Sequence, residues 1–192
     1  MYGRPLNPGP GSPADVTSER LILRSMGVDV MRAIVDGRRD DAAEHLGFDI
    51  HADMFGEDGG APTHFLRMLE SDPSFAPWGP RAMVLADENF AIGHIGFHTS
   101  PNRPYLEPYV GQGVEMGYTV FADYRRHGYA SEAITALAGW ANAEHDVENI
   151  VISVCVANAP SLALAKKLGF TKVGEHQDEI DGLEIVLSVS TP

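Results

Sequence analysis

The stretch Glu115-Met116-Gly117-Tyr118-Thr119-Val120-Phe121-Ala122-Asp123-Tyr124-Arg125-Arg126-His127-Gly128-Tyr129-Ala130-Ser131-Glu132-Ala133 decides the reading of this chain. Its apolar first third predicts a strand over 114–121. Its end opens a helix over 130–144, with Ile134, Leu137, Ala138 and Ala141 on one face. Between them lies a basic triplet, Arg125, Arg126 and His127, followed by Gly128. A strand that turns through glycine into a helix presents unpaired backbone N–H groups and the positive end of the helix dipole, which together suit an anion. Gly128 permits close approach, and the small Ala130 keeps the backbone accessible. The same residues also suit an ordinary strand-to-helix turn carrying solvated arginines.

Working outward, residues 19–24 predict a first strand and residues 28–39 a helix, with Val30, Met31, Ile34 and Val35 at helical spacing. The Gly- and Asp-rich segment 46–61 predicts irregular structure, and 63–69 a short helix with Pro62 near its start. Strands follow over 82–86 and 91–98, joined by a hairpin turn at Asp87-Glu88-Asn89. Residues 100–113, rich in Pro and Gly, read as a loop. The almost continuously apolar run 150–156 suits a strand covered on both faces. A helix over 161–168 is closed by Gly169, and strands over 170–173 and 183–189 end the pattern. The expected fold is α/β of the α+β kind: a central mixed, mostly antiparallel sheet of six to seven strands with helices on both faces.

Residues 1–16, with a Pro- and Gly-rich start, read as a flexible arm, and 17–192 as one domain. The chain has 192 residues, and 14 basic against 27 acidic residues give a net charge of −13. That charge argues against nucleic acid, which requires a basic face, and against anionic membranes. No secretory leader and no apolar run of ~18 residues is evident, and Cys155 is the one cysteine. A soluble, cytoplasmic protein with a buried structural thiol is the expectation.

Arg125-x-x-Gly128-x-Ala130 resembles the Gln/Arg-x-x-Gly-x-Gly/Ala signature of the GNAT N-acetyltransferase superfamily. The wider run from Glu115 to Ala133 resembles the RimJ/RimL-type branch, which acetylates the N-terminal amines of ribosomal proteins. So do Asn158-Ala159-Pro160-Ser161, Lys167-Leu168-Gly169-Phe170 and the entry Thr17 to Arg24. The resemblance covers roughly residues 17–189.

It implies acetyl-CoA as donor, no metal, and direct attack of an amine on the thioester. By resemblance the pyrophosphate falls to the backbone of Arg126, Gly128, Tyr129 and Ala130, with Arg125 at the signature's first position, His127 adding charge and Ser131 a hydroxyl. The pantetheine arm would pair with the backbone of Tyr118, Thr119 and Val120, where two strands splay apart, and an N–H of that strand would steady the oxyanion. Glu115 is the candidate general base, directly or through a water, with the relay favoured because strand rise places it ~10 Å from Tyr118; a solvated strand-end carboxylate is the other reading. Many members carry a Tyr seven residues after the Asn; here that position is Ala165, so Ser161 or a water must protonate the thiolate. Asn158 orients the pantetheine or caps the following helix. A glutamate placed on the next strand in one branch is also missing, and Ser153 lies nearby.

His94 and His98 share a strand face ~13 Å apart, too far to hold one metal ion; either could serve as a base. Phe75, Trp78, Tyr105 and Tyr109 are candidates for the acceptor pocket or for packing, and Trp140 for helix packing. The acceptor is expected to be a protein N-terminal amine. A small polyamine, aminoglycoside or amino-acid-like amine is the alternative, and a non-catalytic CoA-binding module the third reading. Dimers are common among the proteins it resembles, which leaves a homodimer open. The acidic surface outside the basic turn would favour a cationic acceptor.

Overall fold

The computed structural model describes residues 13–56, 60–178 and 182–191. The chain falls into two compact units. One takes the residues up to Gly96 together with Tyr118–Ala136; the other takes Phe97–Gly117 and the residues from Leu137 on. Two strands and one helix pass from one unit into the other.

In the first unit, β1 (Val16–Thr17), β2 (Leu21–Ser25), β4 (Arg81–Leu85) and β5 (Phe90–Phe97) pair antiparallel in that order. The short β3 (Asp49–Ile50) lies parallel to the start of β5, pairing Asp49 with Phe90 and Ile50 with Ala91. The Asp87-Glu88-Asn89 turn closes the β4–β5 hairpin, with Asn89 in the left-handed region at φ 54°. Leu21, Leu23, Met83 and Ile92 are fully buried, and α1 (Val28–Val35) buries Val30, Met31 and Ile34 on the stripe that its spacing predicts.

That helix is shorter than the 28–39 expected. It stops at Asp36, and Gly37 takes φ 68°, which a residue with a Cβ adopts reluctantly. A second helix, α2 (Arg39–Leu46), begins at once and ends on Gly47 at φ 80°. It carries acids in its first turn and buries only Ala42 and Leu46, too few apolar positions to mark it in the sequence. The segment expected to be irregular contains β3 and a 3-10 turn at Ala52–Phe55. α3 runs over Gly60–Ser71, longer than predicted at both ends.

The first twelve residues of the expected arm lie outside the described residues. Ala14 to Val16 are held firmly. Asp15 makes a two-pronged ion pair with the buried Arg24, at 2.6 and 2.8 Å, and the carbonyl of Ala14 accepts from Arg81. Arg81 is 1% exposed and also donates to the carbonyls of Leu23 and Pro77, so a full charge is buried with its donors engaged. Burial lowers its pKa to about 10, which still leaves it protonated at neutral pH.

In the second unit β6 (Val114–Val120) begins beside β7 (Asn149–Cys155), and β9 (Gly182–Ser190) and β8 (Thr171–Asp178) follow in order. The β6–β7 ladder is parallel and the other two are antiparallel, so the sheet is mixed. Among the described residues there are nine strands. The seven longer ones match the number expected, and the two-residue β1 and β3 make up the difference. β8 extends past the predicted 173 because its last five residues, Gly174 to Asp178, are polar or glycine and are held by the backbone ladder to β9 rather than by burial. α4 (Tyr129–His145) and α5 (Ala159–Lys167) start one and two residues earlier than predicted. Among the described residues no helix is long and apolar enough to cross a membrane.

Candidate functional site

The predicted turn exists as drawn. From β6 the chain passes through a 3-10 turn at Ala122–Tyr124 and reaches Arg125 in extended conformation. Arg126 then takes φ 66° and Gly128 φ 87°, and α4 starts at Tyr129. The first helical amide bonded to a preceding carbonyl is that of Glu132, to Gly128 O at 3.1 Å; the donors before it face out of the helix end. Arg125 Nε donates to Val120 O at 2.8 Å, which ties the loop to the end of its strand. Arg125, Arg126, His127 and Gly128 are exposed, and Tyr129, Ala130 and Ser131 half-buried.

A residue that the sequence reading passed over braces this turn. Arg20 gives its backbone N–H and Nε to the two carboxylate oxygens of Glu132 at 2.7 and 2.8 Å, and Nη1 to His127 O at 3.1 Å. Its guanidinium sits 4.6 Å from the centre of the Tyr129 ring. Burial pushes the Glu132 carboxyl up, but the bonds from Arg20 and Ser18 outweigh it and hold the pKa below the usual range.

Beside this loop, in the same unit, lies a cavity of about 380 Å3. Met26, Met31, Met54, Phe65 and Phe121 supply apolar walls, and His94, Thr119 and Arg125 supply polar atoms. Burial lowers the His94 pKa to about 4, so its ring is neutral at pH 7, and it packs edge-on to Phe121.

The second unit holds Glu115, only 7% exposed. Ser153 Oγ donates to its Oε1 at 2.6 Å and Tyr105 OH to its Oε2 at 2.9 Å. His98 Nδ1 lies 3.5 Å from the same Oε2. Burial alone would raise the carboxyl pKa, but His98, Ser153 and Tyr105 outweigh it and bring the value down to about 2. The Tyr105 phenol is raised in turn by its burial and by the neighbouring anion. His98 is half exposed, and a Cβ at Gly117 would overlap its Nε2.

Among the described residues the β6–β7 ladder runs over two positions, Val114–Ile150 and Glu115–Val151, and then stops. Met116 and Gly117 therefore leave that edge of β6 unpaired, just before Tyr118, Thr119 and Val120. Also in this unit, Asn158 Oδ1 accepts from Ser161 N at 3.2 Å and caps α5, one of the two roles expected of it. Ser161 is half-buried, and Ala165, where a Tyr was sought, is 1% exposed and packed.

Of the other candidates, Phe75 and Trp78 are buried, and Tyr109 packs on the core formed by Leu106, Val151 and Val186. Trp140 stacks on Phe97 as helix packing. Cys155 is free and half-buried rather than fully enclosed. Arg20 could not have been paired with Glu132 by spacing, since 112 residues separate them. His98 had a signal, a histidine sharing a strand face with His94, but its carboxylate partner lay on another strand.

The family model for an acetyltransferase (GNAT) domain matches residues 20–171. The chain belongs to the GNAT acetyltransferase family. The GNAT chain is 31% identical over 93 residues to the uncharacterized N-acetyltransferase YnaD of Bacillus subtilis, covering 48% of this chain and 49% of that protein. It is 30% identical over 102 residues to an N-alpha-acetyltransferase of Saccharolobus solfataricus, covering 50% and 59%. The matches thus span about half of the length of these curated relatives. Three solved structures share the fold. A ribosomal-protein-S5-alanine acetyltransferase from Vibrio fischeri superposes with a TM-score of 0.63 at 16% identity, over 93% of this chain and 97% of that one. A chimera of the Vibrio cholerae spermidine N-acetyltransferase does so at 0.62 and 15%, over 90% and 96%. RimL, a ribosomal alpha-N-protein acetyltransferase in complex with coenzyme A, does so at 0.61 and 15%, over 92% and 98%. At such identities the likeness is one of fold.

Proposed function

We propose that this GNAT chain is an acetyl-CoA-dependent N-acetyltransferase whose acceptor is the α-amine of a protein N-terminus. The observation that carries the donor half is the turn at Arg126–Gly128. Its two left-handed residues aim free amides outward at the start of the 17-residue α4, and the triplet Arg125-Arg126-His127 lies in the same turn. Backbone donors at a helix start suit a pyrophosphate. Arg125 and Arg126 supply local positive charge in a chain of net charge −13. In this reading the backbone of Arg126, Gly128, Tyr129 and Ala130 holds the phosphates, with the Ser131 hydroxyl beside them. Tyr118, Thr119 and Val120 pair with the pantetheine arm, as a peptide adds to a strand edge. By resemblance Asn158 is the candidate to orient the pantetheine, and Ser161 or a water protonates the departing thiolate.

The α-amine reading has chemical support. An α-amino group has a pKa of ~7.7–8.0 and a lysine ~10.4, so the former presents far more free base at neutral pH. The acceptors named for the N-alpha-acetyltransferase and RimL relatives are of this kind. The apolar cavity beside Thr119 would take the side chain of the terminal residue. Incubating the protein with acetyl-CoA and, separately, short peptides, polyamines and aminoglycosides, while following thiol release, tests this. Release with peptides that stops when their α-amine is blocked supports the reading. Release with small amines alone moves the acceptor to that class, and acetyl-CoA binding without turnover on any amine leaves a CoA-binding module.

A further inference from the structure

We infer that His98 is the group that takes the proton from the acceptor amine, and that Glu115 acts through it as a positioning residue. This rests on the acetyltransferase reading above. Glu115 was the candidate base in the sequence, but its surroundings suit a different task. It is buried, Oε1 is engaged by Ser153, and Oε2 is engaged by Tyr105 and faced by His98. A carboxylate so saturated is a fixed anion.

His98 has the complementary properties. Its side chain is 47% exposed, so a substrate can reach it. A ring that donates from Nδ1 to the Glu115 carboxylate, 3.5 Å away, keeps its lone pair on Nε2. Nε2 lies over Gly117, where the missing side chain leaves room for it. Gly117 belongs to the stretch of β6 that has lost its β7 partner and directly precedes the residues assigned to the pantetheine arm. The groups facing this network are Glu115 from β6, Ser153 from β7, and Tyr105, Thr99 and Arg103 from the loop side. Glu115 is the charge that faces the imidazole, at 3.5 Å.

The proton balance closes with acetyl-CoA as the only co-reactant. Nε2 accepts one proton from the bound ammonium. The neutral amine attacks the thioester carbonyl carbon, a C–N bond forms, and the C–S bond breaks. The second proton lost by the nitrogen goes to the departing thiolate, and the imidazolium returns its proton to solvent.

Three measurements test this. With acceptor and acetyl-CoA saturating, His98→Gln should lower kcat by about 100-fold or more, with an unchanged KM for acetyl-CoA, and should lose the acid limb of the kcat profile. Added imidazole should partly restore His98→Ala. A His98→Gln enzyme with the parent kcat and pH profile overturns the inference, and so does a slow His98→Ala enzyme that imidazole leaves unchanged. Nitrogen NMR of the ring, independent of turnover, should show the Nδ1–H tautomer in the parent and its loss in Glu115→Gln. The Nε2–H tautomer in the parent overturns the positioning role of Glu115. A parent that releases no thiol from any amine overturns instead the acetyltransferase reading beneath it.

Discussion

Arg20 holds Glu132 at both carboxylate oxygens, by its backbone N–H to Oε1 and by Nε and Nη2 to Oε2, while Nη1 donates to His127 O in the turn before α4. The bend between β1 and β2 thereby braces the loop proposed to hold the donor. Arg20→Ala should raise the KM for acetyl-CoA about five-fold, the size expected for one lost hydrogen bond, and leave kcat at saturation unchanged. Steady-state kinetics in acetyl-CoA, with acceptor fixed, reads the split. Equal loss in kcat would mean that Arg20 does more than brace the turn.

Gly128 carries φ 87°, and a Cβ there would sit 3.4 Å from Arg20 Nη2. Gly128→Ala should destabilise the fold by about 1–2 kcal/mol through the left-handed backbone. It should also weaken acetyl-CoA binding, because the strain falls where the amides must approach the ligand. Chemical denaturation with and without acetyl-CoA separates the two effects.

Glu115 titrates near 2 in the fold against 4.5 for a free side chain. A depressed carboxyl contributes stability that is complete above its unfolded pKa and is lost as pH falls through the folded one. The window is therefore pH 4.5 down to 2, and the contribution is on the order of 3 kcal/mol. Glu115→Gln should flatten the acid-unfolding curve in that window.

His94 gives the opposite kind of titration with the same direction in pH. Its folded pKa of about 4 lies below the ordinary 6.5, so between these values the unfolded chain binds the extra proton. Stability falls as pH drops from 6.5 to 4, and His94→Phe should abolish that slope. Urea unfolding at pH 7, 5.5 and 4.5 would show it, and parallel slopes in both proteins would exclude the cause.

Gly117→Ala places a methyl group where the His98 ring nitrogen lies. The obstacle is the free end of a side chain, so the fold should survive with stability unchanged or slightly higher, while kcat drops as the imidazole swings away. The Tm and kcat together check this. A parent-like kcat would mean that the ring position does not matter.

The parts of the fold with strong periodicity were legible before any coordinates: the β4–β5 hairpin, the apolar β7, the helix after Gly128, and α5 with its Asn158 cap. What escaped was held by other means. α2 buries too little to show a stripe, β8 is a polar edge fixed by its ladder, and Gly37 splits what reads as one helix. The basic turn was readable because its residues are consecutive. Its brace and the Glu115 network were not, because Arg20 and Glu132, or Tyr105, Glu115 and Ser153, meet only after the chain has folded.

The division into two units has a practical consequence. Its borders fall at Gly96, Gly117 and Ala136, inside β5, β6 and α4, and not in linkers. Any attempt to express one unit alone would sever two hydrogen-bonded strands and a helix mid-run. The basic turn and the Glu115 network thus cannot be exchanged between homologues as separate modules by cutting at those borders. On the reading proposed above, a new acceptor preference is sought by side-chain replacement around the cavity, with the backbone left whole.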